Sequence, residues 1–216
     1  MQHPEVLKQA QTEIDHVVGH DRLPNFADRP NLPYIECILS EMLRFSAPVP
    51  MGLPHRLTED NVYKGMFIPK GSLVRHPAAH LLAHACRRSR PLAQIFANNW
   101  AMTRDPALYA DPDVFRPERF LALPHEDAQR ADPRRFVFGF GRRRCPGAHL
   151  VESSLWLLVA SMVATLDVTK ARGEHGEPAV TFDNAVFRSP SPFECDIRPR
   201  SDQARVLIRE EAGCEV

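Results

Sequence analysis

The stretch Phe136–Leu150, FVFGFGRRRCPGAHL, sets Gly139, Gly141 and Gly147 and three consecutive arginines around Cys145, just ahead of an apolar run. The cysteine falls where a loop becomes a helix. A thiolate there faces the positive end of the helix dipole and nearby N–H groups, which stabilise a charged sulfur. Three chemistries use parts of this pattern. Gly139-Phe140-Gly141 could let backbone N–H groups converge on a phosphate, although no Lys-Ser/Thr pair follows. Nucleophilic catalysis needs a base, and His149, four residues beyond Cys145, shares its side of the helix. Metal ligation is the third, but one cysteine cannot hold zinc, which takes four ligands.

One thiolate does suffice on a haem, because the porphyrin supplies four other bonds and the sulfur pushes electron density onto the iron. Phe138-x-x-Gly141-x-Arg143-x-Cys145-x-Gly147 resembles the haem-binding signature of the cytochrome P-450 monooxygenases, with every defined position filled. Two further segments occur in the family's order: Glu41-Met42-Leu43-Arg44 resembles its E-x-x-R helix and Phe115–Phe120, FRPERF, its P-E-R-F segment. The resemblance implies heme b (iron protoporphyrin IX) with Cys145 as the metal ligand. It places Phe138 beside the sulfur, passes Gly139, Gly141 and Gly147 close under the porphyrin, and pairs Arg143 with a propionate, a bidentate match. It assigns Glu41, Arg44 and Arg119 to a charged cluster bracing the cysteine loop. Leu53-Pro54-His55-Arg56 resembles the segment reaching the second propionate, which makes Arg56 a contact. Pro48, Val49, Pro50, Met51, Gly52 and Leu53 become a wall of the substrate pocket, with Ala185 to Ser189 a second wall. His149 and Glu152 are packing or surface residues.

The elements that must position these groups are partly legible. Pro4 suits a first helical position, and Val6, Leu7, Ala10, Ile14, Val17 and Val18 share one face of a helix that Gly19 ends. After a polar loop, Asp21 to Asn31, Pro33 opens a second helix whose stripe is Ile35, Ile38, Leu39, Met42 and Leu43; Pro48 and Pro50 stop it. Val62-Tyr63, a Lys64-Gly65 turn and Met66-Phe67-Ile68 predict a hairpin, and Ser72-Leu73-Val74 a further short strand in the same minor sheet. Thr103 to Gly147 reads mostly as coil. Pro146 opens a third helix to about Leu166, apolar on most sides and so expected between two layers, and a last strand is expected near Phe193 to Ile197. The fold class is therefore mainly α with small β-sheets (α+β).

Charge and cysteine usage bound the rest. Twenty-seven Lys and Arg balance 27 Asp and Glu, which argues against nucleic-acid binding despite the runs at Arg87–Arg90 and Arg142–Arg144. Five scattered cysteines (Cys37, Cys86, Cys145, Cys195, Cys214) with no C-x-x-C fit free thiols in a reducing compartment. No apolar signal segment opens the chain, and Leu155 to Leu166 is too short to span a bilayer. Arg75–Ile95 interrupts the resemblance. His76, His80 and His84 stand four apart near Cys86, but Pro77 disfavours helix there and no carboxylate orients the imidazoles, so we expect an insertion such as a retained intron and not a metal site.

The resemblance thus divides the chain into helices, E-x-x-R and minor sheet (1–74), the insertion (75–95), the P-E-R-F coil and haem loop (96–147), and the core helix with terminal strands (148–216). It covers only the C-terminal portion of the family's fold, of fungal type: the N-terminal portion and the oxygen-binding helix, with its A-G-x-D/E-T-like segment, are absent. What the resemblance implies is insertion of one oxygen atom from O2 into a small lipophilic substrate with electrons from an NADPH-dependent reductase, and no catalytic residue on this chain beyond the haem ligand. The alternative is a non-catalytic haem-binding remnant or truncated gene product. Full-length relatives belong on the cytosolic face of the endoplasmic reticulum membrane; no anchor, and no self-oligomer, is expected here.

Overall fold

The computed structural model describes residues 2–74, 97–121, 123–171, 181–184 and 187–211. The expected insertion at Arg75–Ile95, with its histidines and Cys86, lies outside them, as do Ala185 and Cys214. In chain order the elements are α1 (Pro4–Val17), α2 (Pro33–Ser46), β1 (His55–Arg56), β2 (Asn61–Tyr63), β3 (Met66–Ile68), β4 (Leu73–Val74), α3 (Asn99–Met102), α4 (His125–Ala131), α5 (Arg134–Val137), α6 (Ala148–Thr165), β5 (Leu166–Lys170), β6 (Phe182–Asn184), β7 (Arg188–Pro190), β8 (Cys195–Pro199) and α7 (Asp202–Glu211). Single-turn 3-10 helices lie at Arg29–Asn31, Pro117–Phe120 and Gly141–Arg143.

The core is made by three helices. Val6, Ala10 and Ile14 of α1, Tyr34, Ile35, Ile38 and Leu39 of α2, and Trp156, Ala160 and Val163 of α6 form one buried cluster closed by Leu32. Each large apolar side chain buried this way stabilises the fold by about 1.5–3 kcal/mol. Glu13 of α1 accepts from the Tyr34 and Ile35 amides at 2.9 and 3.1 Å, so a carboxylate satisfies two of the orphan N–H groups that open α2. Ala47, with φ of 38°, ends α2 in the left-handed region ahead of the two prolines.

Several expectations change. The minor sheet is two separate antiparallel ladders, β2 with β3 and β1 with β4, because Leu73 pairs with Arg56 rather than with the hairpin. The long coil contains α4 and α5. The tail strand runs Cys195–Pro199 and pairs with an unforeseen partner, β5, which leaves α6 without a break.

The third helix is not buried between layers in this chain. Trp156, Ala160 and Val163 are covered, but Leu150, Val151, Leu157, Leu158 and Met162 are exposed, Leu150 by 72% and Leu158 by 54%. The helix also starts early enough, at Ala148, to reach 18 residues, which by length and composition could cross a membrane. Its packing against α1 and α2 makes it a core helix with one open face.

Candidate functional site

Glu41 and Arg44 occupy successive turns of α2, and both side chains are fully buried. Arg44 donates Nε and Nη2 to the two Glu41 oxygens at 2.7 Å each. Its Nη1 reaches the carbonyls of Thr103 (2.9 Å) and Pro112 (2.7 Å), and Nη2 that of Val114 (3.3 Å), so all five N–H donors are used. Glu41 also accepts from the Arg116 amide (2.8 Å) and Arg119 Nε (3.2 Å), while Arg119 spreads over the carbonyls of Ala110, Asp111 and Val114. Burial pushes the Arg119 guanidinium below its ordinary value, against the pull of Glu41. The three residues named from the sequence therefore meet. Their hydrogen bonds end on the 103–116 segment, which precedes the cysteine loop in the chain.

The cysteine loop is closed by its own backbone. Cys145 N donates to Phe138 O at 2.7 Å, Arg144 N to Gly141 O at 3.2 Å, and Ala148 N to Cys145 O at 3.3 Å as α6 begins. Gly139 (φ 78°) and Gly141 (φ 53°) hold left-handed conformations that a side chain resists, which permits this tight fold. Gly147 is the N-cap of α6, and a Cβ placed there would sit 3.8 Å from the Cys145 sulfur. Phe138 is half-buried; Cys145, Phe140 and all three arginines, 142 to 144, are exposed. Among the described residues, no hydrogen bond or ion pair engages the side chains of Arg143 or Arg56, the latter exposed on β1. Exposed thiol and two uncommitted guanidiniums suit a planar metal complex carrying carboxylates. His149 is exposed and Glu152 faces Arg134 at 3.5 Å; among the described residues, no hydrogen bond joins either side chain to Cys145.

The Pro48–Leu53 segment is held by its carbonyls. Arg188 N of β7 donates to Pro48 O (2.9 Å), Asn99 Nδ2 and Gly52 N to Val49 O (3.1 Å each), and Trp100 N to Pro50 O (2.9 Å). Leu53 and, beside Arg188, Phe187 remain exposed. Sequence reasoning missed Asn99, Trp100 and Arg104 here, while Arg188 fell within the expected second wall, Ala185 to Ser189, with no role of its own. Arg104 and Arg188 lie 3.1 and 4.9 Å from the Trp100 ring centre, and both donate to Phe45 O at the C-terminus of α2, where cations are favoured. Burial, with Arg188 and Arg44 near, lowers Arg104 to about 10.

The family profile Cytochrome P450 matches residues 1–83 and 93–196. Cytochrome P450 monooxygenase 176 of Postia placenta is 44% identical over 214 residues, 98% of this chain and 37% of that protein. Cytochrome P450 monooxygenase claT of Ampulloclitocybe clavipes is 40% identical over 96% of this chain and 38% of its own length. A zebra fish cytochrome P450 solved with abiraterone superposes with a TM-score of 0.72 at 27% identity, covering 93% of this chain and 41% of that one. This chain spans little more than a third of the length of the curated relatives it matches. On the match of its family profile, the buried Glu41–Arg44 pair and the shared fold, the chain belongs to the cytochrome P450 family.

Proposed function

We propose that the chain is the haem-ligating portion of a haem-thiolate monooxygenase, with Cys145 as the axial ligand. The observation that carries the reading is the cysteine loop itself: a sulfur exposed at the start of α6, in a loop closed by the 2.7 Å bond from Cys145 N to Phe138 O. The bound haem supplies oxygen activation, for insertion of one atom into a lipophilic substrate with electrons from an NADPH-dependent reductase.

The chain's own residues would orient and enclose that group. Arg143 and Arg56, whose guanidiniums have no partner among the described residues, would pair with its two propionates, and Phe138 would pack beside the sulfur. Pro48 to Leu53, fixed through three carbonyls, forms a substrate wall, with Phe187 to Ser189 beside it through Arg188. The exposed arginines 142 to 144 offer an acidic reductase surface complementary charge, which speeds encounter. The open apolar face of α6 packs against the remainder of a longer, membrane-associated protein.

The test is the reduced, carbon-monoxide-bound spectrum of the full-length protein. It should show the red-shifted band of thiolate ligation, and Cys145→Ala should abolish that band while Cys37→Ala and Cys195→Ala leave it intact. Persistence of the band in Cys145→Ala would refute the assignment.

A further inference from the structure

A second charged assembly lies between α2, α5 and α6, apart from Glu41 and Arg44. Arg134 opens α5, the turn that leads straight into Phe138 and the cysteine loop. Its side chain, 13% exposed, donates Nη2 to Glu36 Oε1 (2.5 Å) and Nη1 to Ser40 Oγ (2.9 Å), one turn apart on α2. Nη1 also meets Asp132 at 3.3 Å, and Nε lies 3.5 Å from Glu152 of α6. Arg29 completes a ring. It grips Glu36 with Nε and Nη2 (3.0 and 3.1 Å) and lies 5.7 Å over Trp156, one turn beyond Glu152 on α6.

We propose that Arg134 is the positioning residue of the cysteine loop, fixing both of its stems, α5 before and α6 after, to α2. The inference rests on the reading of Cys145 as a ligand only in what the fixed loop is for; the brace itself is a matter of geometry. Loop 138–147 has internal hydrogen bonds but exposed side chains along most of its length, so its position depends on what holds its ends. At the upstream end, among the described residues, Arg134 reaches both helices with its side chain. Removing Arg134 from this partly buried cluster leaves Glu152, 18% exposed, with no cation among the described residues.

The experiment compares amide hydrogen exchange and the carbon-monoxide spectrum in the full-length haem-loaded protein and its Arg134→Gln variant. Exchange in peptides covering 138–147 should rise about tenfold or more, the scale on which outer-shell partners affect metal sites, with peptides covering 4–17 and 103–116 unchanged. The thiolate band should give way to its blue-shifted, thiolate-lost form about tenfold faster. Arg134→Lys, which keeps the charge but not the fork, should recover part of both effects. No rise at 138–147, or an equal rise in all three regions, overturns the proposal. If Arg134→Gln does not fold, Glu152→Gln must show the same localised rise in smaller measure, and its absence is equally decisive. A thiolate band that survives Cys145→Ala defeats the ligand reading, while the exchange comparison still judges the brace.

Discussion

Arg44 is the side chain on which most of the buried polar structure converges. Its five donors are matched to five acceptors from α2 and from three points of the 103–114 segment, in a site closed to water. Lysine offers three donors around one point and cannot reproduce that spread. Arg44→Lys and Arg44→Ala should therefore both destabilise the fold by about 3–5 kcal/mol, the cost of breaking a buried ion pair by removing one partner, as read by denaturant unfolding. Near-native stability in Arg44→Lys would show that the geometry is unimportant. Asp28 gives a pH-dependent case. The bidentate Arg22 bond and the Asn25 amide hold its carboxyl at about 2, below its ordinary 3.8. A depressed carboxyl contributes stability that is present in full above its unfolded value and is lost as pH falls toward its folded one. Asp28→Asn should thus cost about 1–2 kcal/mol near neutral pH, discounted because Arg22 is half exposed, and the gap should close between pH 3.8 and about 2. A gap that persists at the acid end contradicts the linkage.

At the scale of elements, the Pro48–Leu53 segment shows how one loop can be specified from outside itself. Gly52 takes φ of 63°, and a Cβ there would stand 3.2 Å from both the Cβ and the carbonyl of Ala97. Gly52→Ala therefore meets a strained backbone and a tight contact together, and should destabilise by about 1–3 kcal/mol. Within the proposed function it should also shift substrate-binding spectra; an unchanged melting temperature would count against the packing described. The prolines that end α2 made this loop visible in sequence, and amphipathic stripes made α1 and α2 so. The signature around Cys145 and the Glu41–Arg44 spacing were visible because local residue types carry them. β5 was not, because it leaves α6 at Leu166 with no glycine or proline to mark the change. Asn99, Trp100, Arg104 and Arg134 were illegible for another reason: each acts on residues far away in the chain, and an isolated arginine or tryptophan carries no local pattern that names its partner.

For the molecule as a whole, α6 decides behaviour in solution. Its sequence, apolar on most sides, suggests burial between two layers, yet the face bearing Trp156, Ala160 and Val163 is the one covered, by α1 and α2. Leu150, Leu158 and Met162 project into solvent, and the chain is little more than a third of the length of its relatives. Contiguous apolar surface of this kind drives association. Residues 1–216 produced alone should therefore bind an apolar-surface dye and grow in scattering mass with concentration. Leu150→Lys combined with Leu158→Lys should reduce both, since each substitution places a charge on the open face and touches no buried contact. The same pair introduced into the full-length protein should have the opposite sign, destabilising it by about 2–5 kcal/mol if that face is buried there against the rest of the chain. A native 1–216 chain that stays monodisperse and dye-free, or a full-length protein indifferent to the two lysines, would mean that the face of α6 is open to water by nature and has no partner in the longer protein.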